Sequence, residues 1–177
     1  MDNIQESDCI FSVLKIEDVK HSSLQLVGSG KFKTPRCHAM KIPILILSNA
    51  QVINFQLLSD ANVSASLTCA ICKQDACNFY EWLLSVDTER NLTVCEENDS
   101  IILKLRITSF NDVTFLDNSL SPMITQDAIR ALNLNNTFLK CALELPCMWF
   151  TEASYGITMN LIEAIISTDS SMPVCLI

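Results

Sequence analysis

The stretch ILKLRITSF, residues 102–110, limits the choice of fold more than any other part of the chain. Leu103, Leu105 and Ile107 alternate with Lys104, Arg106 and Thr108. In an extended strand successive side chains point to opposite faces, so one face of this segment is apolar and the other basic. A half-buried strand with a cationic outer face follows. CIFSVLKI, SLQLVGSG, IPILIL, VINFQLL, ASLTCAI, DVTFLD and TFLKCALEL are also short, apolar or alternating, and rich in β-branched residues. Together they predict seven or eight short strands, with IPILIL and VINFQLL counted separately, and a closed or nearly closed β-barrel.

Helical periodicity is confined to two places. In CNFYEWLLSV, Phe79, Trp82, Leu83 and Val86 follow the i, i+3, i+4, i+7 spacing of a core-facing stripe. In TQDAIRAL, Thr125 is suited to cap a short surface helix, with Asp127 in its first turn. The 177 residues, 49% of them hydrophobic and 18% charged, are enough for one domain that buries its core without a disulfide or metal staple. The expected division is residues 1–30 as strands packing on the barrel, 31–167 as the barrel itself, and 168–177 as a tail.

The longest apolar runs, such as IPILIL, fall far short of the roughly 20 residues needed to cross a bilayer as a helix. The start, MDNIQESDC, is acidic and polar and lacks the pattern of a secretory signal. An intracellular protein without a membrane partner is expected, in host cytoplasm or nucleus if the source is viral. Nine cysteines at irregular spacing do not resemble a secreted disulfide framework, and most are expected to be small buried residues. Cys69, Cys72 and Cys77 form a C-x2-C-x4-C cluster, but the second close pair of a zinc ribbon is missing, so packed cysteines are the favoured reading. No cofactor is expected. GSGKFK at 28–33 lacks the spacing of a phosphate-wrapping loop. His21 and His38 are in no nucleophile arrangement, and the carboxylates are scattered apart from a solvated turn at EENDS, so an enzyme is not expected.

Net charge is −8, yet it is unevenly spread. Residues 1–30 hold two basic and five acidic side chains and 42–177 hold six and fifteen, whereas 31–41 hold four basic and none acidic. KFKTPRCHAMK is therefore the one basic patch, either a solvated edge or an anion-binding strip with Phe32 between two lysines as a stacking residue.

Near the end runs MWFTEASYGITMNLIEAII, residues 148–166, with three aromatics and a glycine ahead of an apolar stretch. The order of features before it is a basic TP segment (KFKTPR), strands, FYEWLLSVD, ILKLRI, VTFLDN, a short helix, and LKCALELPCMWF. From about residue 31 to 167 this order resembles the OB-fold single-stranded-DNA-binding proteins of large DNA viruses and of some phages. The resemblance implies a mainly β, OB-like barrel with one or two short helices. It places Trp149 and Phe150 at the end of one strand, a tight turn at 151–154, and Tyr155 and Gly156 at the start of the closing strand, the glycine permitting a bulge or close backbone approach.

Carried over by position, the phosphate-binding candidates are Lys31, Lys33, Arg36, Lys41, Lys104 and Arg106, and the stacking candidates are Phe32, Trp149 and Tyr155, with Trp149 and Tyr155 alternatively filling the barrel's end. The implied function is non-enzymatic coating of single-stranded nucleic acid in viral replication or recombination. The implied partners are single-stranded DNA, with RNA as the other strand type, replication proteins, and a second copy of the chain. Two rival readings are an acidic viral structural or adaptor protein of matrix type that meets proteins rather than nucleic acid, and a small zinc module resting on the cysteine cluster.

Overall fold

The structure, a computed structural model, describes residues 10–20, 24–59, 64–87, 89–123 and 134–167. The elements in chain order are β1 (Phe11–Lys15), β2 (Gln25–Val27), β3 (Phe32–Arg36), β4 (Ile42–Ser59), β5 (Ser64–Cys72), α1 (Lys73–Val86), β6 (Asn91–Leu92), β7 (Cys95–Glu97), β8 (Ser100–Ile107), β9 (Thr114–Leu116), β10 (Phe138–Phe150) and β11 (Ser154–Ser167). The short helix expected in TQDAIRAL and the tail at 168–177 lie outside the described residues.

Five strands close on themselves. β4 pairs with β5, β5 with β8, β8 with β11, β11 with β10, and β10 returns to β4. Within this ring only β8 and β11 run parallel, meeting at Arg106 and Asn160. The result is a mainly β, OB-like closed barrel. Closure removes the exposed edges that an open five-stranded sheet would present. β1 joins β4 in parallel outside the ring, and β3 pairs with the last residues of β10 and with β2.

Alternation within each strand decides what fills the barrel. Ala65, Leu67, Cys69 and Ile71 of β5 and Ile101, Leu103, Leu105 and Ile107 of β8 point inward and are buried, while Lys104 and Arg106 are exposed on the opposite face. The cysteine cluster is divided by this geometry. Cys69 belongs to the barrel interior, where burial pushes its thiol up to about 12, and among the described residues no group of three or more His, Cys, Asp or Glu is arranged to hold a metal ion.

IPILIL and VINFQLL are not two strands but the two halves of β4, which is 18 residues long. The polar Ser48 and Asn49 mark a register shift rather than a turn: Cys141 pairs with Leu47 and Leu139 with Ala50. Such an irregularity bends a strand enough to serve two sides of a small barrel. β10 is bent likewise between Glu144 and Cys147, where Pro146, which has no N–H to donate, is tolerated.

The predicted helical stripe is the buried face of α1: Phe79, Trp82 and Leu83 are in the core and Val86 packs against it. The helix starts six residues before the apolar periodicity does, directly from β5, and the Asp99 carbonyl accepts the Lys73 N–H at 2.8 Å. α1 is tied to the rest of the fold by two long-range bonds. The Trp82 indole N–H donates to the Leu24 carbonyl at 3.1 Å, and the Tyr155 hydroxyl donates to the Leu83 carbonyl at 2.5 Å.

Candidate nucleic-acid interface

β10 and β11 form a hairpin whose turn, residues 151–153, is held by its own side chains. The Thr151 N–H donates to the Ser154 carbonyl at 2.7 Å, and the Thr151 hydroxyl oxygen accepts the Ser154 N–H at 2.9 Å. This turn length pairs Phe150 with Tyr155 and Trp149 with Gly156. The inward pair is Phe150 and Tyr155, whose rings stack with centroids 5.9 Å apart. The outward pair is Trp149 and Gly156.

The reason for the glycine is now specific. A Cβ on Gly156 would come within 2.4 Å of the Trp149 indole and 2.5 Å of the Thr93 hydroxyl. The indole therefore lies across the backbone of β11, flat enough that no side chain fits beneath it. On the other side of Trp149, Phe32 is its cross-strand neighbour in β3 and is 69% exposed. Phe32, Trp149 and Gly156 make one outward row, with one large exposed aromatic and one partly exposed aromatic side by side. Of the two uses the sequence allowed the glycine, a bulge or a close approach, it is the close approach that the structure shows, and what approaches is a tryptophan.

Tyr155 must be reassigned. It is 0% exposed, its ring lies against Phe150 and its hydroxyl is bonded to α1. Burial raises its phenol to about 12. A ring with no accessible face cannot receive a base, so Tyr155 fills the barrel's end.

The basic patch is bent rather than linear. Lys31 and Lys33 flank Phe32, and the Lys31 carbonyl accepts the Phe150 N–H at 2.8 Å, which fixes the start of β3 to the end of β10. Lys33 extends to the inner side, its Nζ 4.9 Å from the centre of the Phe150 ring. Arg36, at the far end of β3, donates from Nη1 to the Pro35 carbonyl at 2.9 Å. Between Cys37 and Lys41 the chain doubles back through Ala39 and Met40, both with positive φ, and the Lys41 carbonyl accepts the Cys37 N–H at 3.0 Å. Arg36, paired with Gln25 of β2, and Lys41, beyond the reversal, are therefore placed past the end of β3 that pairs with Trp149, and Lys31 and Lys33 are the two cations of the patch at that end.

Lys104 and Arg106 form a second group on the outer face of β5 and β8. Lys104 stands in a row with Thr68 and Asn54, and Arg106 with Ser66 and Gln56. Small polar neighbours leave both cations open to solvent. Arg106 pairs with Asn160 of β11. Gly156 lies four residues earlier on the same face of that strand, about 13 Å away at ~3.3 Å per residue. The two groups therefore share one outer surface, joined along β11, and the face of strands two and three together with the turn between strands four and five is where OB barrels take up oligonucleotides.

Arg90 was missed in the sequence, where it stands alone in a polar loop. β6 runs parallel to the start of β11, and the Asn91 N–H donates to the Ala153 carbonyl at 3.3 Å, which brings Arg90 to the β10–β11 turn. Its Cζ is 5.7 Å from the Phe150 ring centre and its Nε is 2.9 Å from Asp87 Oδ2. No local pattern announces it, because its place is set by a strand pairing more than sixty residues apart in sequence.

No known family matches the sequence, and no curated relative does. Solved structures with a similar fold include the single-stranded DNA-binding protein from bacteriophage Enc34 in complex with single-stranded DNA (TM-score 0.54, 9% identity, covering 84% of this chain and 97% of that one). A C-terminally truncated form of the same phage protein gives a TM-score of 0.53 at 10% identity over 85% of this chain and 98% of that one. gp2.5, a single-stranded DNA-binding protein encoded by bacteriophage T7, gives 0.50 at 11% identity over 74% and 96%. At these identities the likeness is one of fold, and at that level the resemblance expected from the sequence holds.

Proposed function

We propose that this chain binds single-stranded nucleic acid, with DNA as the principal ligand, and that it does so as a non-enzymatic coat protein in viral replication or recombination. The observation that carries the proposal is the outward row of Phe32 and Trp149, seated on Gly156 and flanked by Lys31 and Lys33. Bases present π-faces that stack on exposed aromatics whatever their sequence, while Lys and Arg follow the phosphates. Lys104 and Arg106 extend the path across the outer face of β8. The two phage proteins of similar fold are named for the same ligand, and one of them has been seen in complex with it.

The overall charge of −8 fits a single strand better than a duplex. A duplex carries a second backbone that would be held against an acidic body, whereas one strand can follow a narrow cationic path. In the same reading the N-terminal strands β1 and β2 are accessories to the barrel, the protein works inside the infected cell, and replication proteins or a second copy of the chain are its protein partners.

Fluorescence titration of labelled poly-dT and of duplex DNA at two salt concentrations tests the proposal. Preference for poly-dT, with affinity falling as salt rises, is expected because phosphate contacts release counterions. Absence of poly-dT binding at low salt overturns it. The double charge reversal K31E/K33E should weaken binding more than Lys73→Glu does. Lys73 is already paired with Glu96, on the helix side of the barrel. Equal effects would remove the basic patch from the path.

A further inference from the structure

Two cations converge on one ring at the mouth of the barrel. Lys33 Nζ lies 4.9 Å and Arg90 Cζ 5.7 Å from the centre of Phe150, so the two groups cannot be further apart than those distances combined. Phe150 is 8% exposed and its ring is already stacked with Tyr155. The cations come from different parts of the chain, β3 and the loop before β6, and both are held there by backbone pairing next to the same turn. Among the described residues no carboxylate is within ion-pairing distance of Lys33.

The state of Arg90 is informative. Its Nε is committed to Asp87, the residue that follows α1, while its side chain is 35% exposed. A guanidinium has five N–H donors in a rigid fork, and an arginine held by one edge offers the remaining edge in fixed orientation. Two positive groups stand at one ring and only one of them, Arg90, is ion-paired, with Asp87; the donors left over suit a tetrahedral oxyanion.

We propose that Lys33 and Arg90, braced on Phe150, form a phosphate-binding subsite for one backbone phosphate of a bound single strand, at the point where the strand passes the β10–β11 turn. Asp87 acts here as a positioning residue for the guanidinium. The subsite rests on the reading of the chain as a single-strand binder and adds to it a contact that no basic patch in the sequence contains.

The test is the salt dependence of oligo-dT affinity for the full chain, wild type against Arg90→Gln, Arg90→Lys and the control Lys73→Gln. For single strands each phosphate contact contributes about 0.7 to the slope of log affinity against log salt. Arg90→Gln is expected to weaken binding about tenfold, the scale of one charge-assisted contact, and to reduce the slope by about 0.7. Arg90→Lys is expected to restore the slope but only part of the affinity, because the charge is kept and the fork is lost. Thermal melting of each variant accompanies the titration. An unchanged slope in Arg90→Gln, with wild type binding normally, overturns the subsite and leaves the proposed function standing. Equal losses in Arg90→Gln and Arg90→Lys, accompanied by lowered melting temperatures, assign Arg90 a purely structural role and also overturn it. Wild type that fails to bind oligo-dT overturns both.

Discussion

The two faces of the β10–β11 hairpin carry nearly the same chemistry and put it to opposite uses. On the inner face Phe150 and Tyr155 stack, and Tyr155 is sealed by its bond to Leu83 of α1. On the outer face, one residue away along each strand, Trp149 lies on a glycine beside the exposed Phe32. Behind the sheet Tyr155 joins barrel to helix; in front of it Phe32 is exposed and Trp149 partly so. The difference teaches that aromatic content alone says nothing about binding. What matters is which face of the pleat a residue occupies and whether anything in the fold covers it.

The sharpest way to break this comparison is to truncate one member of each face. Tyr155→Ala should cost about 3–5 kcal/mol of stability, since it empties a large buried site and removes the tie to α1. Urea unfolding measures it, and a loss below about 1 kcal/mol would mean that the ring does not hold the helix to the barrel. Trp149→Ala should have the complementary profile. Its stability loss should be the smaller of the two, while poly-dT affinity should fall by about 1–3 kcal/mol, the value of one stacked base. If Trp149→Ala unfolds the protein as readily as Tyr155→Ala and folded material binds normally, the outer face is core after all.

The smallest effect expected is a pH dependence confined to the inner face. Burial lifts the Tyr155 phenol to about 12, above the ordinary value of about 10. Between these values the folded protein keeps a proton that the unfolded chain releases. The stability from this group is thus present in full below about pH 10, falls as pH rises, and is gone above about pH 12. Urea midpoints from pH 9 upward should decline less steeply in Tyr155→Phe than in wild type. Parallel declines would show that other groups dominate.

Much of the barrel was legible in the chain, because inward and outward residues alternate in β5, β8 and most of β10 and β11, and a barrel interior demands that alternation. The limits of β4 were not. Ser48 and Asn49 look like a break between two strands, yet hydrogen bonding to β10 continues past them with a shift in register, so a polar pair became a bend. The start of α1 was hidden for a related reason: its first turn is polar and follows β5 without a loop, leaving periodicity visible only from Phe79 onward.

For the site, the sequence by itself determined which residues were available: a basic segment around Phe32, a cationic face on β8, and aromatics beside a lone glycine. It could not determine which of Trp149 and Tyr155 would face outward, because either parity is compatible with the local pattern. Turn length set the pairing of Phe150 with Tyr155, and the packing of α1 then covered one face only. Nor could it separate Arg36 and Lys41 from Lys31 and Lys33, or bring Arg90 to Phe150. Periodicity is carried by neighbouring residues and survives in the sequence. The meeting of β3, β6, β10 and β11 depends on long-range backbone pairing, and only the tertiary structure decides which charges and rings share one surface.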